Sequence, residues 1–276
     1  MRDRPPDALD VAVALLKKRD GVDKVLKLFR YATIFAVSEA KRISRTAKDS
    51  SGAESVTVTE FIRAGTALER SIGSARRVYR VGKFLGNAQD LRDAIAEAEA
   101  SGKRGYGRFL NAACACAALE GAYYFLEQGV WLSRAGVVMR ERTTLDRLIR
   151  WSARAEVASY VFSIACALEE YRDALAEEKD ARDGLVAATS RTLAIGVKSE
   201  GDIDDLQARL AGALKAKRGA IRSICTDAAD ATLSVEDAVD VEGFEITNER
   251  FVNVLGLLTA VLDFSSKLED AVDSFN

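Results

Sequence analysis

Arg70, Arg76, Arg77, Arg80 and Lys83 fall within four turns of one helical segment. Their spacing offers the clearest chemistry in the sequence, which is the holding of phosphate. Positions 76, 80 and 83 stand at i, i+4 and i+7 and share a face. Val78, Val81, Leu85 and Ala88 line another face, with Arg77 intruding on the apolar side. Such a helix can lie in a membrane interface, its cations at lipid phosphates and its apolar side below them. It can equally be an ordinary bundle helix with a solvated basic side.

Other chemistry finds little support. There is no histidine, so the commonest general base and nitrogen ligand for metals is missing. Carboxylates recur at helical spacing, as in Glu169/Asp173 and Asp202/Asp205, but a helical di-metal site usually needs histidine as well. These pairs read as solvated faces. The cysteines are Cys114, Cys116, Cys166 and Cys225, with no CxxC. Residues two apart on a helix point in different directions, so Cys114 and Cys116 are poorly placed to share a metal. All four are expected to be reduced and buried. No glycine-rich phosphate loop occurs. The expectation is a non-enzyme with no cofactor and no metal.

The elements that must carry these residues follow from composition. Nearly half of the 276 residues are hydrophobic (48%), enough for a sizeable core. Net charge is −2, so there is no overall pull toward nucleic acid or anionic lipid. Pro5 and Pro6 are the only prolines, which argues for long uninterrupted helices. Aromatics at 7% disfavour a β-rich core. The expectation is an all-α bundle of about five to seven helices, several of them long.

The punctuation places these helices. One begins at Asp7 or Ala8, bends at Gly21 and runs to Arg45, with Val22, Val25, Phe29, Ala32, Ala36 and Ile43 on its apolar stripe and Lys24 and Lys27 off it. Lys48–Ser55 reads as a loop, and Thr57 or Thr59 can cap a second helix to about Ala100, weakened at Gly73, Gly82 and Gly86. A third helix covers about Tyr106–Met139 and a fourth about Leu145–Lys179, its Glu169–Arg182 end charged and solvated. Gly184–Gly201 is mixed, Asp202 or Asp204 caps a fifth helix to about Thr232, and Thr247 caps the last. The chain reads as one domain over 1–276, with a soft boundary near 234–246.

Membrane insertion is not obvious from length. A span needs roughly 20 mainly apolar residues. The best uncharged runs, Phe109–Leu119, Val157–Leu168 and Phe251–Leu262, stop at Glu120, Glu169 and Asp263. Runs of that length favour a soluble bundle or a peripheral protein. Met1–Asp10 has no signal-peptide core, and the C-terminus no standard address.

Three blocks, in order, resemble the peroxisomal biogenesis factor 11 family. The first is Gly21–Val37 (GVDKVLKLFRYATIFAV), with Asp23, Lys24, Phe29, Arg30 and Tyr31 on the family-like positions. The second is Ser74–Asp90 (SARRVYRVGKFLGNAQD), which carries Arg76, Arg77, Val78, Tyr79, Arg80, Lys83, Phe84 and Leu85. The third is Ala122–Val137 (AYYFLEQGVWLSRAGV), with Glu127 where the family more often has Asp, then Trp131, Leu132 and Gly136. The resemblance covers the first half of the chain best.

This resemblance implies elongation and tubulation of the peroxisomal membrane ahead of fission. It implies insertion of the second-block amphipathic helix, self-association into homo-oligomers and recruitment of fission machinery. The partner surface would be anionic phospholipid, at the peroxisomal membrane or a related organelle, bound peripherally or integrally. The chain departs from the family in lacking an obvious span and in carrying Asp227, Asp230, Glu236, Asp237 and Asp240. A soluble helical scaffold and, by analogy with the family alone, a solute channel are the competing readings.

Overall fold

The computed structural model describes residues 7–51, 56–102, 111–138, 141–195, 200–239 and 248–275. Among them every regular element is a helix: α1 (Ala8–Lys17), α2 (Arg19–Ser51), α3 (Val56–Tyr79), α4 (Lys83–Ala100), α5 (Ala112–Arg134), α6 (Arg142–Ile195), α7 (Glu200–Ala238) and α8 (Glu249–Asp273). The all-α class holds. Eight helices stand in place of five to seven because two expected helices are split and two are fused.

The splits have local causes. Asp7 and Asp10 form a reciprocal cap that starts α1. The chain breaks after Lys17, ahead of the expected bend at Gly21. Gly21 instead lies against the Leu15 carbonyl, where a Cβ would overlap it. Between α3 and α4, Gly82 takes φ 75°, a left-handed conformation that costs glycine little. Gly73 and Gly86 stay inside their helices.

The fusion comes from close packing. Gly184 lies inside α6, and a Cβ there would meet the Leu206 side chain at 2.8 Å. The glycine lets α7 approach. Ala167, Ala174 and Ala181 of α6, seven residues apart, and Ala213 and Ala220 of α7 are buried, and α6 packs on α7. The charged end of α6 is largely exposed as expected, although Glu178 is buried.

Other boundaries shift by a few residues. Helix α2 continues to Ser51, through the first half of the expected Lys48–Ser55 loop. Thr57 and Thr59 lie inside α3, which begins at Val56. Asn111 and Asn248 cap α5 and α8, accepting from Cys114 and Phe251. Tyr106 and the residues around it, Met139, and Asp240–Thr247 lie outside the described residues. Cys114 is buried and Cys225 is exposed, so the expectation of four buried thiols fails at Cys225.

The helices close into a ring. Helix α2 packs on α3, α4 on α5, α5 on α6, α6 on α7, α7 on α8, and α8 returns to α2, with α1 against α2 and α8. Side-chain pairs show neighbours running antiparallel. Arg30 meets Glu69 and Asp23 meets Arg76 across α2 and α3. Lys215 meets Asp273 and Arg222 meets Glu269 across α7 and α8. Helix α6, at 54 residues, is about 81 Å long. It therefore runs past the ring with α7 as a projecting hairpin, tied by Glu177–Arg209 and Glu178–Lys217.

The burial pattern is inverted relative to a water-soluble bundle. The interior holds mostly alanines, a few larger residues (Leu15, Val37, Tyr123, Tyr124 and Val130), and the polar groups of Asp23, Lys27, Arg76, Asn87, Ser152, Ser159, Thr226 and Asn253. Large apolar residues face outward. Helix α8 shows this most plainly. Phe251, Val254, Leu258, Val261, Leu268 and Val272 are exposed, while Asn253, Gly256, Thr259, Ala260 and Ala271 are buried. The run Phe251–Leu262 does not end at Asp263 in three dimensions, because Asp263 turns inward onto Lys24 and Lys27. By length and composition, helix α8 is long and apolar enough to cross a membrane. At 25 residues it reaches about 37 Å, against a hydrocarbon core of about 30 Å.

Candidate functional site

The cations of the second block line the inside of the ring. Arg76 is 7% exposed, and its Nε donates to Asp23 Oδ1 at 2.9 Å. Arg80 Nη1 donates to the Tyr123 hydroxyl at 2.9 Å, with Asp23 and Glu127 each 3.4 Å from the guanidinium. Lys83 Nζ donates to the Tyr124 hydroxyl at 2.9 Å and stands 3.8 Å from Asp20. The stripe 76–80–83 is thus real, but it meets carboxylates and phenols of α2 and α5. In this structure Arg76, Arg80 and Lys83 are engaged by protein groups. The cause is that α2 and α5 supply complementary groups at the same level.

The other side of the block faces out. Val78 is 49% exposed, Tyr79 43%, Val81 46% and Leu85 61%. Phe84 packs edge-on against Phe125, their ring centroids 5.6 Å apart. In this segment Val78, Val81 and Leu85 face outward while Arg76, Arg80 and Lys83 face inward. Arg77 is half-buried and reaches only to 3.9 Å from Glu127.

The first-block residues join the same core. Asp23 is shared by Arg76 and Arg80, and Lys24 pairs with Asp263 at 2.8 Å. Arg30 pairs with Glu69 at 2.8 Å and lies over the ring of Tyr31. Tyr31 fills the space beside Gly256 of α8, where a Cβ would overlap its ring. Phe29 is exposed and takes no part. In the third block, Glu127 belongs to the core. Trp131 and Leu132 are half-buried, and Gly136 terminates α5 with φ 75°. The glycine amide donates to the Ser133 carbonyl and that of Val137 to Leu132, closing the helix end.

Several core residues were not singled out as site residues from the sequence. Lys27 donates to Asp230 at 2.7 Å and to Asp263 at 2.8 Å. Tyr123 and Tyr124 receive the cations of α3 and α4. Glu156 accepts from the Tyr160 hydroxyl at 3.2 Å, and Asp227 accepts from Ser163 at 2.6 Å. Lys27 could have been flagged by its position off the apolar stripe of α2, and the two tyrosines by the third block.

Two polar cavities lie within the ring, of about 330 and 170 Å³. Lys27, Arg80, Tyr123, Glu156, Tyr160 and Asp230 line both and form the wall between them. The described residues hold no group of three or more Cys, Asp or Glu placed for a metal ion.

A ring of antiparallel helices with an ion-paired interior and an apolar exterior defines a protein suited to a membrane, where ionisable side chains face the bundle interior and pair. The sequence comparisons agree in kind. The family model for peroxisomal biogenesis factor 11 matches residues 9–266. Peroxisomal membrane protein 11-3 of Oryza sativa subsp. japonica is 33% identical over 258 residues, covering 94% of this chain and 88% of that one. Peroxisomal membrane protein 11A of Arabidopsis thaliana is 26% identical over 257 residues, covering 93% and 90%. Peroxisomal membrane protein 11-4 of Oryza sativa subsp. indica is 33% identical over 175 residues, covering 63% and 66%. No solved structure matches. The chain belongs to the peroxisomal biogenesis factor 11 family. It is a peroxisomal membrane protein with a role in biogenesis of the organelle.

Proposed function

We propose that this chain elongates and tubulates the peroxisomal membrane ahead of fission, as an embedded ring whose apolar exterior lies in lipid. One observation carries the reading. Large apolar side chains face outward around a core of buried ion pairs, as on α8 and on the 78–85 segment. An exposed apolar surface of this kind calls for lipid or another copy of the chain. The face bearing Val78, Val81 and Leu85 then displaces acyl chains, replacing headgroup contact by the cations as the source of wedging. Self-association and recruitment of fission proteins complete the proposal. Catalysis forms no part of it.

The test is reconstitution of the full chain into liposomes containing anionic lipid. Retention after alkaline carbonate extraction, with tubules visible by electron microscopy, is expected. Val78→Glu, Val81→Glu and Leu85→Glu together should abolish tubulation. Release by carbonate would overturn embedding, and undiminished tubulation by the triple variant would remove this face from the mechanism.

A second reading, passage of small solutes, is favoured by the two polar cavities that share a wall inside the ring. It predicts solute leakage from the same proteoliposomes that Tyr123→Ala increases.

A further inference from the structure

The larger of these two cavities is lined by six cations that differ in how closely carboxylates pair them. Arg30, Arg77 and Arg134 line it together with Arg76, Arg80 and Lys27. The inner cations are matched: Arg76 by Asp23, Lys27 by Asp230 and Asp263, and Arg80 by Asp23 and Glu127. Arg30 has Glu69. Arg77 has only Glu127 among the described residues, at 3.9 Å and already engaged by Arg80. Arg134 is exposed and has no ion pair among the described residues. Two guanidinium groups on different helices, α3 and α5, thus border one cavity without a carboxylate of their own.

The cavity has the dimensions of a ligand site. At about 330 Å³ it lies at the low end of small-molecule pockets, and α2, α3, α5, α6 and α7 all contribute to its wall. Tyr31, Ser152 and Ser234 add hydroxyl groups to the lining. Planar guanidinium groups match the oxygen pairs of a phosphate, and a partly enclosed setting strengthens such charge-assisted bonds. Glu127, Asp230, Glu156 and Asp237 also line the cavity. Glu127 and Asp230 are taken up by Arg80 and Lys27, and Glu156 accepts from the Tyr160 hydroxyl, so the anion site is confined to the side of Arg77 and Arg134.

We propose that the rim formed by Arg30, Arg77 and Arg134 binds the phosphate group of a small anion, either a free phosphorylated solute or a lipid headgroup entering from the side. The cavity is the pocket, Arg77 and Arg134 supply the unmatched charge, and Arg30 flanks them. This site goes beyond membrane remodelling and does not depend on it.

The experiment uses the full chain in neutral detergent. Thermal unfolding is followed with inorganic phosphate, with chloride at matched ionic strength, and with micelles doped with phosphatidic acid or with phosphatidylcholine. Phosphate or phosphatidic acid should raise the midpoint where chloride and phosphatidylcholine do not. A response to inorganic phosphate identifies a free solute. A response to phosphatidic acid alone identifies a headgroup. Arg77→Gln and Arg134→Gln should each weaken the apparent affinity about tenfold, with helix content unchanged by circular dichroism. Arg134 is exposed at a helix end, so that variant keeps the test valid if Arg77→Gln misfolds. No response to either phosphate probe, or an equal response in Arg134→Gln and the parent, overturns the proposal.

Discussion

Lys27 on α2 holds its ammonium 2.8 Å from the carboxylate of Asp263 on α8, so the second helix and the last are joined by a charge pair inside the ring. Lys24 reaches the same carboxylate at 2.8 Å. Removing one partner of a buried pair leaves an uncompensated charge, which costs about 3–5 kcal/mol. Asp263→Ala should therefore lower the unfolding midpoint of the detergent-solubilised protein sharply. Lys24→Met should cost less, since Lys24 is the more exposed lysine. The double variant should couple by more than about 1 kcal/mol, whereas independent sites add to within about 0.5 kcal/mol. Additivity would show that α2 and α8 are not held by this pair.

Arg80 is the cation that reaches most groups, and Tyr123 is its shortest contact at 2.9 Å. Tyr123→Phe keeps the ring and removes the hydroxyl, which accepts from Arg80 and hydrogen-bonds Glu156. Hydrogen bonds to a charged group contribute about 1.5–3 kcal/mol. The variant is expected to lose that much stability, and Tyr124→Phe should lose a comparable amount through Lys83. Denaturation monitored by circular dichroism reads both. Full stability in Tyr123→Phe would mean that Asp23 and Glu127 alone satisfy Arg80.

The helices were legible because proline is confined to Pro5 and Pro6 and the loops are rich in glycine and serine. Which glycine breaks a helix was not legible. Gly73, Gly82 and Gly86 look alike in sequence, and only the tertiary arrangement selects the left-handed turn at Gly82. The stripe Arg76–Arg80–Lys83 was legible as a stripe, but periodicity cannot tell which side of a helix faces lipid. In a bundle clothed by lipid the polar stripe turns inward. Recognising that required Asp23, Tyr123 and Glu127, which come from distant segments. Asp263 misled for the same reason. It ended an apolar run in sequence, while its lysine partners stand near the other end of the chain.

Gly256 and Tyr31 give a steric test of the α2–α8 contact. A Cβ at Gly256 would overlap the tyrosine ring. Gly256→Ala overfills the contact, and overpacking costs about 1–3 kcal/mol. Tyr31→Val should empty that space and recover most of the loss when combined with Gly256→Ala. Thermal midpoints of the two single variants and the double variant provide the check. A double variant no better than Gly256→Ala alone would mean that the two residues do not meet.

The projecting α6–α7 hairpin gives a test by pH. The hydrogen bond from Lys217 to Glu178, with the charges of Lys217 and Arg182, holds the Glu178 carboxyl below its ordinary value of 4.5. A carboxyl whose folded value is depressed stabilises the fold fully above its unfolded value. That contribution is lost as pH falls through the folded value. Amides of α6 and α7 near Glu178 and Lys217 should therefore lose protection from hydrogen exchange, after correction for intrinsic rates, as pH drops below about 4.5. Glu178→Gln should start with lower protection at neutral pH and show less change on acidification. The Glu177–Arg209 pair lies farther toward the tip and is exposed, so screening by salt should weaken it first. If Glu178→Gln matches the parent in both protection and pH response, the hairpin is held by its alanine seam alone, with Ala174, Ala181, Ala213 and Ala220 supplying the contact.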